Sequence, residues 1–117
     1  MDREPDGALP GVLEEIEDVA GRPTAIALAL AWGGREVHIP KPLHLARHPD
    51  HPLARLLEAE GTALKVADYL GGCSVYLPRA RRACALHLAA AGATAAEIAA
   101  RLALSPSAAR RYMRGAP

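Results

Sequence analysis

Apolar residues first recur at Leu9, Val12, Leu13, Ile16, Val19 and Ala20, the spacing of one buried helix face, and Gly21 closes the run. The opposite face holds Glu14, Glu15, Glu17 and Asp18, which reads as solvated acid. Residues 25–32 then form a nearly continuous apolar helix that stops at Gly33-Gly34. Val37 and Ile39 alternate with polar neighbours, as in a half-buried strand, and Pro40 ends it because proline cannot donate to a sheet ladder. The same order returns later: a helix over residues 63–70, Gly71-Gly72, a strand through Val75 and Leu77, then Pro78 and the basic Arg79 in the place of Lys41. Two copies are too few for a solenoid and describe one unit used twice.

Thr24 and Thr62 stand before the two apolar helices and are expected to cap them. Gly33 and Gly71 are expected to take the left-handed conformation that closes a helix. The two strands can pair antiparallel within one chain or across a dimer, and helices should cover so small a ribbon. A short helix precedes the second copy over residues 52–59, with Leu53, Leu56 and Leu57 on one side. Residues 41–51, with Pro42 and Pro49, read as a loop.

From Arg79 onward the pattern is helical. A first helix covers residues 79–91 and stops at Gly92. Thr94 with Glu97 is a capping box that opens a second, running to about Leu102. Ser105 caps a third, with Pro106 in its first turn, running to about Arg114 before Gly115. Ala99 allows close crossing, and Ile98, Leu102, Leu104 and Tyr112 can form the buried side. Two short helices joined in this way are the pattern of a helix-turn-helix, whose last helix enters the major groove. Ser105, Ser107, Ala108 and Arg111 lie where base edges would be met, flanked by Arg110 and Arg114; an arginine can hold guanine O6 and N7 together. Thr94, at a helix start, is a candidate phosphate contact, and Arg79, Arg81 and Arg82 can clamp the flanking backbone. Such motifs usually place glycine where Ala103 stands and Val or Ile where Ala109 stands.

Charge strengthens that picture. The net charge of +1 hides a split: residues 1–70 carry seven Lys/Arg and twelve Asp/Glu, net −5, while residues 71–117 carry seven Arg and only Glu97, net +6. The basic half suits phosphate and the acidic half does not. Half of the residues are apolar, but there is no Phe, one Trp and three Tyr, so the core is expected to be small and dimerisation to help it. Cys73 and Cys84 lack metal-site spacing and read as buried free thiols in a reducing compartment. No secretory signal or membrane span is visible, which points to the cytoplasm.

The segment Gly71-Gly72-Cys-Ser-Val75-Tyr76-Leu77-Pro78-Arg79, followed directly by an arginine-rich helix and a helix-turn-helix ending Ala109-Arg110-Arg111-Tyr112-Met113-Arg114, resembles the Mor transcription activator family of phage Mu type. The likeness runs from about Leu9 to Gly115 and includes Asp50-His51-Pro52-Leu53. It implies a homodimer held by N-terminal helices, a linking strand at residues 75–77, and DNA-binding helices at residues 94–102 and 105–114. It also implies a two-fold DNA element near a phage or prophage promoter and recruitment of RNA polymerase.

Other clusters carry less. His44, His48 and His51 lie close to Asp50, but the neighbouring prolines favour a polar loop over a metal site. His38 is expected to be exposed or at a sheet edge and His87 to pack in the core. The glycine pairs come after helices instead of opening them, which argues for capping and against a phosphate loop. No set of residues resembles a catalytic triad, so no enzyme, cofactor or metal is expected. The expected fold is mainly α with a short two-stranded β element. Residues 1–78 would form a helical and strand dimerisation region, and residues 79–117 the DNA-binding domain. Expected partners are double-stranded DNA, a second copy and RNA polymerase. Two other classes remain open: a protein-interaction module without DNA binding, and a DNA-binding accessory of a recombinase.

Overall fold

A computed structural model describes residues 8–57 and 61–114. The fold is mainly helical with one two-stranded antiparallel ribbon. It divides into two compact units, one spanning Pro10–Arg79 and the other holding Ala80 onward together with Leu9.

In the first unit, α1 (Val12–Ala20) turns at Gly21, φ 96°, directly into α2 (Arg22–Trp32). Strand β1 (Arg35–His38) comes next, then α3 (Pro42–Arg47), α4 (Pro52–Leu56), α5 (Thr62–Leu70) and β2 (Ser74–Leu77). β1 pairs with β2 inside one chain, in the register Arg35↔Leu77, Glu36↔Tyr76, Val37↔Val75 and His38↔Ser74. Helices α1 and α2 pack on β2, and α1 packs on both α2 and α5, which supplies the cover a two-stranded ribbon needs. Leu13, Ile16, Ile26, Leu28, Ile39, Leu53, Val66 and Leu77 are fully buried. Tyr69 Oη donates to Glu15 Oε1 at 2.7 Å and ties α5 to α1; this bond raises the phenol pKa, because ionisation would set two negative charges together.

Several local expectations are corrected. Thr24 is no cap: α2 starts two residues earlier, with Pro23 in its first turn, and Thr24 Oγ1 donates back to the Ala20 carbonyl at 3.0 Å. Thr62 is the first residue of α5, and Gly61 takes the cap position at φ 79°. Gly33 and Gly71 are not left-handed, at φ −61° and −59°; the second glycine of each pair, Gly34 or Gly72, takes φ 90° or 87°. The first glycines are required by space. A Cβ on Gly33 would lie 2.5 Å from the Ala29 carbonyl oxygen and 2.9 Å from Arg79 Cα; on Gly71 it would meet the Ala67 carbonyl oxygen and stand 3.0 Å from Lys41 Cα.

The expected loop over residues 41–51 contains α3, because Pro42 sits in the first turn, where its missing N–H costs nothing. The expected helix end at Ala59, and the stop at Gly115, lie outside the described residues. Cys73 is exposed and Cys84 buried, and neither forms a disulfide, so only the second fits the expected burial.

The second unit is three helices: α6 (Arg81–Ala90), α7 (Ala95–Leu102) and α8 (Pro106–Met113), each packed on the other two. α6 starts at Arg81, not Arg79, because Ala80 is left-handed at φ 50°. Among the described residues no helix is long and apolar enough to cross a membrane.

Candidate nucleic-acid interface

The second unit closes around Ala85, Ile98, Ala99 and Ala109, with Leu88, Leu102, Tyr112 and Met113 packed at its edge. Ala99 and Ala109 present only methyl groups, which lets α7 and α8 approach closely. Both capping devices expected from the sequence are present. The Thr94 N–H donates to Glu97 Oε1 at 2.8 Å, and the Glu97 N–H donates to Thr94 Oγ1 at 3.2 Å. At α8 the Ala108 N–H donates to Ser105 Oγ at 3.1 Å, and Pro106 occupies the first turn. The turn between them passes through Ala103 at φ 55°, ψ 49°, so the residue that is usually glycine adopts the glycine conformation with a methyl attached. The Leu104 N–H donates to the Ala99 carbonyl at 2.9 Å and closes the end of α7.

This packing divides α8 into two faces. Ala109 is fully buried, and Tyr112 and Met113 lie half-buried on the same side. Ser107, Arg110, Arg111 and Arg114 are all exposed and recur at i, i+3, i+4 and i+7, so they form one stripe along the helix. Ser105 and Thr94 stand at the starts of α8 and α7, and both are exposed. These six expected contacts therefore share one small unit, and each side chain reaches solvent.

The three arginines before the motif differ among themselves. Arg82 is half-buried, and its guanidinium carbon stands 5.5 Å from the centre of the Tyr112 ring, a cation–π contact that joins α6 to α8. Arg81 is half-buried too, with a buried Nε that has no hydrogen-bond partner among the described residues. Arg79 is exposed at the end of the ribbon unit, its side chain laid over Gly34. No local spacing reveals Tyr112 as a stacking platform, because the pairing joins residues thirty apart. Arg101, exposed in the last turn of α7, is likewise not singled out by any motif; its only signal is its place in the arginine-rich half.

The histidines fall elsewhere. His87 is exposed on α6, not packed in the core. His44 and His48 stack at 4.2 Å between ring centres, and His51 meets His44 edge-on at 5.9 Å. His48 Nδ1–H donates to the His44 carbonyl at 2.8 Å. His51 Nδ1 instead accepts the Leu53 N–H at 3.0 Å and caps α4, which commits that nitrogen to hydrogen bonding. No group of three or more metal-holding side chains occurs among the described residues. His38 is exposed as expected, with Nδ1 3.3 Å from Ser74 Oγ across the ribbon.

Residues 76–115 match the family model of the Homeodomain-like domain. The matched stretch takes in the end of β2 and all of α6, α7 and α8, and the match supports a helix-turn-helix of the DNA-binding class. No curated protein and no solved structure matches the chain.

Proposed function

We propose that this chain is a sequence-specific DNA-binding regulator of transcription, without enzymatic activity, that inserts α8 into the major groove. The observation that carries the reading is the exposed stripe of Ser107, Arg110, Arg111 and Arg114 on a helix whose other face closes the helix-turn-helix core. Arg111 and Ser107 read base edges, while Thr94, Arg110 and Arg114 hold phosphates. Arg79 reaches the backbone from outside the motif. Arg82 acts through Tyr112, steadying α8 against α6. DNA as the partner goes with a cytoplasmic location.

The Mor resemblance supports a finer statement: activation at a phage or prophage promoter, with RNA polymerase as a protein partner. The same resemblance implies a homodimer on a two-fold element; that part is not carried over to this chain, because β1 pairs with β2 inside one chain.

Arg111→Ala is expected to weaken binding to the selected site by about 1–3 kcal/mol and to relax preference at one base pair. Binding isotherms over a set of single-base variants measure both. With roughly 4–6 phosphate contacts, log affinity should fall against log salt with a slope of about −4 to −5. A variant as tight and as selective as the parent would remove α8 from the role of reader. A chain that shifts no DNA at low salt would favour the interaction-module reading.

A further inference from the structure

The ribbon unit has an internal two-fold symmetry that arises from the repeat. Val37 and Val75 occupy the same place in their copies and face each other in the middle of the ladder, so a local axis passes between them. The contacts around that axis are reciprocal. The Gly34 N–H donates to the Leu77 carbonyl at 2.6 Å, and the equivalent Gly72 N–H donates to the Ile39 carbonyl at 2.7 Å. Gly33 lies against Pro78 and Arg79 at the far end of the second strand, and Gly71 lies against Pro40 and Lys41 at the far end of the first. Arg79 covers Gly34 as Lys41 covers Gly72. Each copy of the unit therefore completes the other.

A single copy would need a second chain to supply these contacts. Here the second copy is joined covalently, so its effective concentration is of the order of millimolar, far above micromolar protein. The pairing surface is thus spent within the chain. The two strands lead into different segments. After Pro78-Arg79 come α6, α7 and α8; after Pro40-Lys41 come only the six residues of α3 and the histidine-lined turn to α4. Each closed ribbon carries one reading helix.

We infer that one protomer is the DNA-binding entity, docking on a single asymmetric half-site, and that the two-fold ribbon replaces a dimer interface instead of forming one. This rests on the DNA-binding reading proposed above. A symmetric dimer would protect two half-sites about 10 base pairs apart, whereas the closed chain protects one.

The test co-expresses the full chain with a longer tagged version and mixes the product with a duplex selected from a random pool. Two shifted bands are expected, one per version, with one protomer per duplex by mass and an enriched motif lacking an inverted repeat. Sedimentation at micromolar concentration should give a monomer. An intermediate third band with an inverted-repeat motif overturns the inference and leaves the DNA reading intact. A monomer that shifts no DNA overturns the DNA reading, and the half-site falls with it.

Discussion

The ribbon unit fully buries the large side chains of Leu13, Ile16, Ile26, Leu28, Ile39, Leu53, Val66 and Leu77, besides small ones such as Ala25 and Ala67. In the reading unit the buried centre is Ala85, Ala99 and Ala109 around one large side chain, Ile98. The turns differ in the same sense. Among the described residues, the ribbon unit places glycine at all its positive-φ positions, Gly11, Gly21, Gly34, Gly61 and Gly72, while the reading unit has Gly92 but also runs Ala80 and Ala103 through the left-handed region. Burying a leucine or isoleucine contributes about 1.5–3 kcal/mol, and an alanine methyl far less. The ribbon unit is therefore built for stability. The reading unit trades core volume for close helix approach, and it carries backbone strain besides.

The largest expected effect strikes the reading unit at Ile98, the large side chain at the centre of its alanine cluster. Ile98→Ala should cost about 2–5 kcal/mol, since the alanines around it have little side chain with which to collapse into the space. Hydrogen exchange should show lost protection in α7 and α8 and unchanged protection in α1, α2 and α5. DNA binding should be lost with it. Equal loss of protection in both units would show that they unfold together and that the contrast in their cores has no thermodynamic meaning.

The features legible in the sequence are those whose cause is local. The Thr94–Glu97 box and the Ser105 cap each need only a few residues in order, and both are present. The glycine pairs are visible too, but with their roles exchanged. Gly33 and Gly71 are glycine because a Cβ there would stand about 3 Å from the other copy's backbone, which is a tertiary fact. Proline is ambiguous by pattern alone. Pro106 reads as a helix start and Pro42 as part of a loop, although both occupy the first turn of a helix. Thr24 fails as a cap because Gly21 and Pro23 supply an earlier start. Within the site, the exposed stripe on α8 comes from helical period alone. The stacking of Arg82 on Tyr112 depends on how α6 crosses α8, and no periodicity carries that information.

Ala103 sharpens the comparison of turns. An alanine in the left-handed region costs about 1–2 kcal/mol, and glycine gives back about 0.5–1 kcal/mol in unfolded-state entropy. Ala103→Gly is therefore expected to stabilise the reading unit by roughly 0.5–1 kcal/mol, seen as a rise in the protection of α7 and α8. Because the change relaxes the turn without touching α8's exposed stripe, affinity for DNA should stay within a factor of about two. A fall in stability would mean that the Ala103 methyl makes a contact worth more than its strain.

The smallest effect belongs to the ribbon unit and depends on pH. His51 has a pKa lowered from its usual 6.5, first by desolvation and then by the charges of His44 and His48, with Asp50 opposing. Its Nδ1 also accepts the Leu53 N–H, which only the neutral ring can do. A lowered folded pKa means that the unfolded chain takes up the proton first as pH falls. The contribution to stability is thus complete above about pH 6.5 and is lost as pH falls through the depressed folded value. Between about pH 7.5 and 5, exchange protection should decline in α3 and α4 while α7 and α8 hold steady. His51→Asn keeps an acceptor for the Leu53 N–H and removes the titration, so it should flatten that decline. An equal decline in the variant would assign the pH dependence to other groups, and a decline centred on α7 and α8 would reverse the contrast between the units.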